Sequence, residues 1–164
     1  MLDEQIPEWG IQHRGEKDAN HRNNSAFAMT WSIIDGSGVR RSRLQFRYHA
    51  LRPECPTISL LFQDNLVCRV DFVSPEECKF NPPWARRLGC PATVCGPHEH
   101  SWDDNQEHLQ RGGPWELPCR RPIPPNLRRL NQVLPWLAEK VNLTLPEGWR
   151  EFDVAPPSDL FAGR

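Results

Sequence analysis

In the stretch "LVCRVDFV", Leu66, Cys68, Val70 and Phe72 share one parity, and Val67, Arg69, Asp71 and Val73 share the other. A period of two is that of a β-strand, whose side chains alternate between faces; a helix with one buried stripe repeats every 3.6 residues. The same alternation occurs upstream, where Leu44, Phe46 and Tyr48 oppose Arg41, Arg43 and Arg47. Each of these strands therefore has one buried and one wet face, and the wet face carries arginine. The segments "FAMTWSII" and "LQFRYHAL" flank "DGSGVRRSR", whose glycines supply hairpin geometry. Asp64-Asn65 separates "TISLLFQ" from "LVCRVDFV" and predicts a second two-residue turn.

Downstream the pattern changes. Residues 74 to 92 show turn residues without a period and read as a long loop. "TVCGPHEHSW" reads as a further strand, with His98, His100 and Trp102 facing one way and Glu99 and Ser101 the other. In "NLRRLNQVLPWLAEKV" the residues Leu127, Leu130, Leu134, Leu137 and Val141 recur at helical spacing. Asn126 is the predicted N-cap, and Pro135 is expected to kink or restart the helix. These elements predict an α+β fold, an antiparallel sheet of about five strands with one amphipathic C-terminal helix on its apolar face. The expected core is Phe46, Tyr48, Leu60, Phe62, Val70, Phe72, Leu130, Leu134 and Leu137.

The 164 residues suit one domain. We expect a loosely ordered arm over 1–25, the sheet within 27–102, the helix over 126–141 and an irregular tail over 142–164 that packs back through Trp149 and Phe152. Twenty basic residues balance 21 acidic ones, so no global field points to nucleic acid. All but Lys17, Lys79 and Lys140 of the basic set are arginine, the planar fork suited to phosphate and carboxylate. The start is polar and no run approaches the roughly 20 apolar residues of a membrane helix, which predicts a cytoplasmic protein without a membrane partner. Its six cysteines are then expected to be reduced thiols.

Two histidines at i and i+2 on a strand project from one face with Cβ atoms about 6 to 7 Å apart, a gap that suits one ion or one phosphate. Two half-exposed imidazoles at a strand end are the plainer alternative. A structural zinc on Cys90, Cys95, His98 and His100 is another, although all four crowd into one segment rather than two separated knuckles. Cys68 falls on the apolar parity and reads as an inert core thiol. Asp103, Asp104 and Glu107 read either as partners of the imidazoles or as the solvated start of a loop. Arg41, Arg43 and Arg47, with Arg69 on a neighbouring strand, form either a nucleic-acid-binding face or a solvated one.

The order of features is informative in its own right. Arg69-x-Asp71, then Asn81-Pro82, then Pro97-His98-x-His100, then Trp115 with Pro118 and a capped helix resembles small bacterial proteins that include the TumE-like toxins of toxin–antitoxin operons. The resemblance spans roughly residues 44 to 141. It implies that Arg69, Asp71, His98 and His100 form a shared polar centre. The chemistry expected of such a centre is metal-independent cleavage of RNA. One imidazole would act as base on the ribose 2′-hydroxyl, the other as acid on the leaving oxygen, with Arg69 stabilising the phosphorane and Asp71 orienting a ring or holding Arg69. The alternative is a non-catalytic binding protein, an antitoxin or mobile-element inhibitor with a cognate protein partner, in which the same residues are structural pairs.

Overall fold

The computed structural model describes residues 1, 10–12, 26–49, 52–112, 116–147 and 149. Its strands are β1 (Gly10–Gln12), β2 (Ala26–Ile33), β3 (Ser42–His49), β4 (Arg52–Phe62), β5 (Asn65–Asp71), β6 (Cys78–Phe80), β7 (Thr93–Cys95), β8 (His98–His100) and β9 (Arg121–Pro122). The helices are α1 (Trp102–Gln110) and α2 (Leu130–Lys140), with a 3-10 turn over Pro83–Leu88. Seven strands form one antiparallel sheet in the order β1-β2-β3-β4-β5-β8-β9, and β6 and β7 pair separately. The fold is α+β. The sheet extends the expected core of strands at both edges, through β1 from within the predicted arm and through β9. Residues 2–9 and 13–25 of the arm, Trp115 and Phe152 lie outside the described residues.

Alternation decides which face is covered. Leu44, Phe46, Ile58, Val70 and Phe72 point to one side and are buried against Leu130, Val133, Leu134 and Leu137 of α2. Full burial of such a side chain contributes on the order of 1.5–3 kcal/mol. Cys68 lies on this same side, and burial pushes its thiol up to about 12, as suits a core thiol. The helix is capped at both ends. Its N-cap is Arg129 rather than Asn126, and Gln132 Oε1 reaches back to accept from the Arg128 and Arg129 backbone N–H groups. At the other end Asn142 adopts φ 53°, so that Leu143 N–H donates to Ala138 O at 2.7 Å and the chain turns back. Leu143, Leu145 and Trp149 then pack on the core from the tail. The helix runs through Pro135 as one element.

Several expectations are corrected. The second hairpin turns at Gln63-Asp64, one residue earlier than predicted; both have positive φ, 46° and 68°, as a tight hairpin turn needs. The register shifts between Leu60 and Leu61, and near the hairpin end Phe62 is 43% exposed instead of buried in the core. "RPECPT" belongs to β4, and the predicted loop over 74–92 contains β6 and the 3-10 turn. Cys78 and Cys95 are cross-strand partners joined by a disulfide, so these two cysteines are not free thiols. Among the described residues no helix is long and apolar enough to cross a membrane.

Candidate functional site

The stretch read as one strand from Thr93 breaks at Gly96, which adopts φ 75°, and Pro97. The break lets β8 leave β7 and pair with β5, with Arg69 opposite His100 and Asp71 opposite His98. Directly opposed residues share a face, with Cβ atoms about 4.5–5.5 Å apart. Thr57 and Ser59 of β4 continue the same two rows. The four predicted residues therefore meet on the sheet face opposite α2. Trp102 does not join them: Ser101 caps α1 by accepting from Asp104 N–H, and Trp102 is its first residue.

Asp71 is the hub. Its Oδ2 accepts from Arg69 Nε at 2.8 Å and lies 3.2 Å from His100 Nε2 and 3.7 Å from His98 Nε2. Its Oδ1 accepts from Thr57 Oγ1 at 3.1 Å. Both imidazoles are anchored from behind, because His98 Nδ1 donates to Gly96 O at 2.8 Å and His100 Nδ1 donates to Leu117 O. A carbonyl only accepts, which assigns the ring proton to Nδ1 in each case and turns Nε2 toward Asp71. Arg69 Nη2 lies 3.1 Å from His100 Nε2 and donates to it when the ring is neutral. When the ring is charged, Nε2–H donates to Asp71 instead.

Electrostatics follow from burial. The histidine side chains are 3% and 1% exposed, and access from solvent runs over Asp71 at 17% and Arg69 at 34%. Burial lowers the His98 pKa and favours its neutral form. At Asp71 burial acts upward, but hydrogen bonding with His100 and the charge of Arg69 outweigh it and leave the carboxyl below its ordinary value. Cavities of about 370 and 550 Å³ open elsewhere on the molecule, and none of these four residues lines them.

Two buried or half-buried asparagines to which the sequence assigns no role hold the site in place. Asn105, fully buried on α1, donates to Ser101 O and Cys119 O and accepts from Cys119 N–H at 2.8 Å. Asn81 does the same for the next residue, accepting from Arg120 N–H and donating to Arg120 O, both at 2.8 Å. Together they clamp the strap that carries Leu117, the acceptor for His100. Arg120 brings a second guanidinium to the centre; burial and the charge of Arg69 lower its pKa. Only the Asn-Pro pair, already part of the resemblance, hinted at these clamps. Their partners lie 14 and 39 residues away, beyond any local pattern.

The remaining candidates go elsewhere. Asp104 is in the first turn of α1 and forms a two-pronged pair with Arg121, at 2.7 and 2.8 Å, while Glu107 pairs with Arg87 and Arg111. Arg43 pairs with Asp64, Arg47 is half-buried on the same face as the site, and Arg41 is exposed just ahead of β3. The four-residue zinc set is not assembled. Cys95 is in the disulfide, Cys90 lies 2.8 Å from Cys119 Sγ, and the histidines face Asp71. Two groups among the described residues bring three ligand-type atoms within 4.8 Å of one another: Asp71, His98 and His100, and Cys90, Asp104 and Cys119. Compared with known proteins, the chain matches no family model, no curated protein and no solved structure.

Proposed function

We propose that this chain is a ribonuclease-type effector, as toxins of toxin–antitoxin systems are, that cleaves RNA phosphodiesters at the Arg69, Asp71, His98 and His100 centre in the cytoplasm. The observation that carries the reading is the convergence of two imidazoles, a carboxylate and a guanidinium on the polar sheet face that also bears Arg43 and Arg47. Arg69 Nη2 is the group placed to meet phosphate charge, and a ribose 2′-hydroxyl is the natural nucleophile beside it. In-line displacement puts entering and leaving oxygens on opposite sides of phosphorus. Both Nε2 atoms face one Asp71 oxygen, so the imidazoles share a task on one side, uptake of the proton from the attacking 2′-hydroxyl, while the leaving 5′-oxygen takes its proton from water, in place of the base and acid roles expected from the sequence.

The test is a labelled RNA oligonucleotide and its 2′-deoxy counterpart, incubated with wild-type protein and Arg69→Ala in EDTA and in Mn²⁺. Cleavage of the RNA alone, slowed about 100-fold or more in the variant, supports the reading. Inertness of the folded protein in every buffer overturns it in favour of a binding or inhibitor protein with a cognate partner. The near-complete burial of both histidines is the observation that favours that second reading.

A further inference from the structure

We propose that Asp71, His98 and His100 hold one first-row divalent cation through Oδ2, Nε2 and Nε2, with the remaining coordination positions open on the side of Arg69. The inference rests on the phosphodiester reading only for what the cation would act upon, and it replaces the imidazoles as base, since an Nε2 that ligates an ion has no lone pair left to take a proton. Three features of the centre point to it. Zinc-type bonds of about 2.0–2.2 Å place neighbouring donors roughly 3–3.5 Å apart. Asp71 Oδ2 lies 3.2 and 3.7 Å from the two imidazole nitrogens and the three atoms lie within 4.8 Å of one another, so an inward shift of the side chains would close the triad on an ion. Each imidazole is also oriented from behind by an Nδ1–H donated to a backbone carbonyl, and the second Asp71 oxygen is held by Thr57. That is the outer arrangement which fixes a ligating tautomer and raises its basicity.

The third feature is electrostatic. When the rings are neutral, with the proton at Nδ1, the Asp71 oxygen and each Nε2 lone pair face each other in a buried site and repel unless a positive charge lies between them. In this structure Arg69 supplies it, Nε to Asp71 and Nη2 to His100. A cation satisfies both atoms better, because it reaches His98 as well. It also releases the partly exposed Arg69 guanidinium to an anionic ligand on the open side. Two imidazoles and one carboxylate on one face select Fe²⁺, Mn²⁺, Co²⁺, Ni²⁺ or Zn²⁺ and leave exchangeable positions. The rival cysteine group has less to offer, since Asp104 is already committed to Arg121 through both oxygens.

The experiment strips the full chain with EDTA and titrates it with Co²⁺, reading the visible d–d spectrum and the Tm. The expected result is one equivalent bound without a thiolate charge-transfer band, and a Tm raised by about 5 to 10 °C at a hundredfold excess over Kd. Asp71→Asn and His98→Gln should weaken binding at least tenfold. Cys90→Ser should leave it unchanged. Folded, stripped wild-type protein that takes up no Co²⁺ overturns the proposal whether or not the variants fold, and so does uptake with a thiolate band that Cys90→Ser removes. RNA cleavage in EDTA without Co²⁺ uptake would leave the phosphodiester reading standing and this one lost. Uptake without cleavage would do the reverse.

Discussion

Glu99 stands between His98 and His100 but points through the opposite face of the sheet, where Lys140 Nζ lies 2.5 Å from each of its carboxylate oxygens. The pair ties β8 to the last turn of α2. Glu99 is buried while Lys140 is 39% exposed, so the carboxylate is the group at risk when the pair is broken. Lys140→Ala is expected to lower stability by about 1–3 kcal/mol in urea titrations, the cost of leaving a buried acceptor unpaired. Glu99→Leu combined with Lys140→Leu should recover much of that loss. A single variant as stable as wild type would mean that Glu99 is solvated in solution.

The parity of the strands makes a sharper test of the core. Phe72 and Leu134 are buried against each other's layer, so truncation of either to Ala should cost on the order of 2–5 kcal/mol. Phe62 shares the alternation yet is exposed beyond the register shift. Its replacement by Ala should fall within about 0.5 kcal/mol of wild type. Equal losses at Phe62 and Phe72 would refute the register.

Acid should weaken the protein partly through Asp104. The two hydrogen bonds from Arg121 hold its carboxyl below the ordinary 3.8. A group with a lowered native pKa contributes stability that is present above its unfolded value and lost as pH falls through the native one. Asp104→Asn should therefore flatten the acid limb of the stability curve below about pH 4 and lower the plateau above it. An unchanged acid limb in this variant would show that the pair is not formed.

The Cys78–Cys95 disulfide closes a loop of sequence separation 17. On loop entropy alone such a closure is worth about 3 kcal/mol. Dithiothreitol should lower the Tm of wild type and leave a Cys78→Ser, Cys95→Ser variant unmoved. Alkylation and mass measurement of the unreduced protein, with four cysteines labelled, would confirm the pairing; six labelled cysteines would disprove it.

What was legible in the sequence was what period two can express. Alternation in β3 and β5 puts Arg69 and Asp71 on the wet face, and the i, i+2 spacing puts His98 and His100 on one face of their own strand. It did not say which strand they would pair with. Helix α1 was missed because "WDDNQEHLQ" has almost no apolar period, although Ser101 followed three residues later by Asp104 is a capping signal. The start of α2 was set too early because Asn126 resembles an N-cap; the Pro124-Pro125 turn delays the helix to Leu130. Asn81 was marked only through the resemblance and Asn105 not at all, since a side-chain amide reveals nothing of the backbone it will bind.

The strand beside the histidines has a final consequence. Arg121–Pro122 pairs with β8 for two residues only, and Pro122 is followed closely by Pro124 and Pro125. Proline has no N–H to offer a further strand. Among the described residues the sheet therefore ends beside the centre in a short edge interrupted by proline, a poor template for edge-to-edge strand addition.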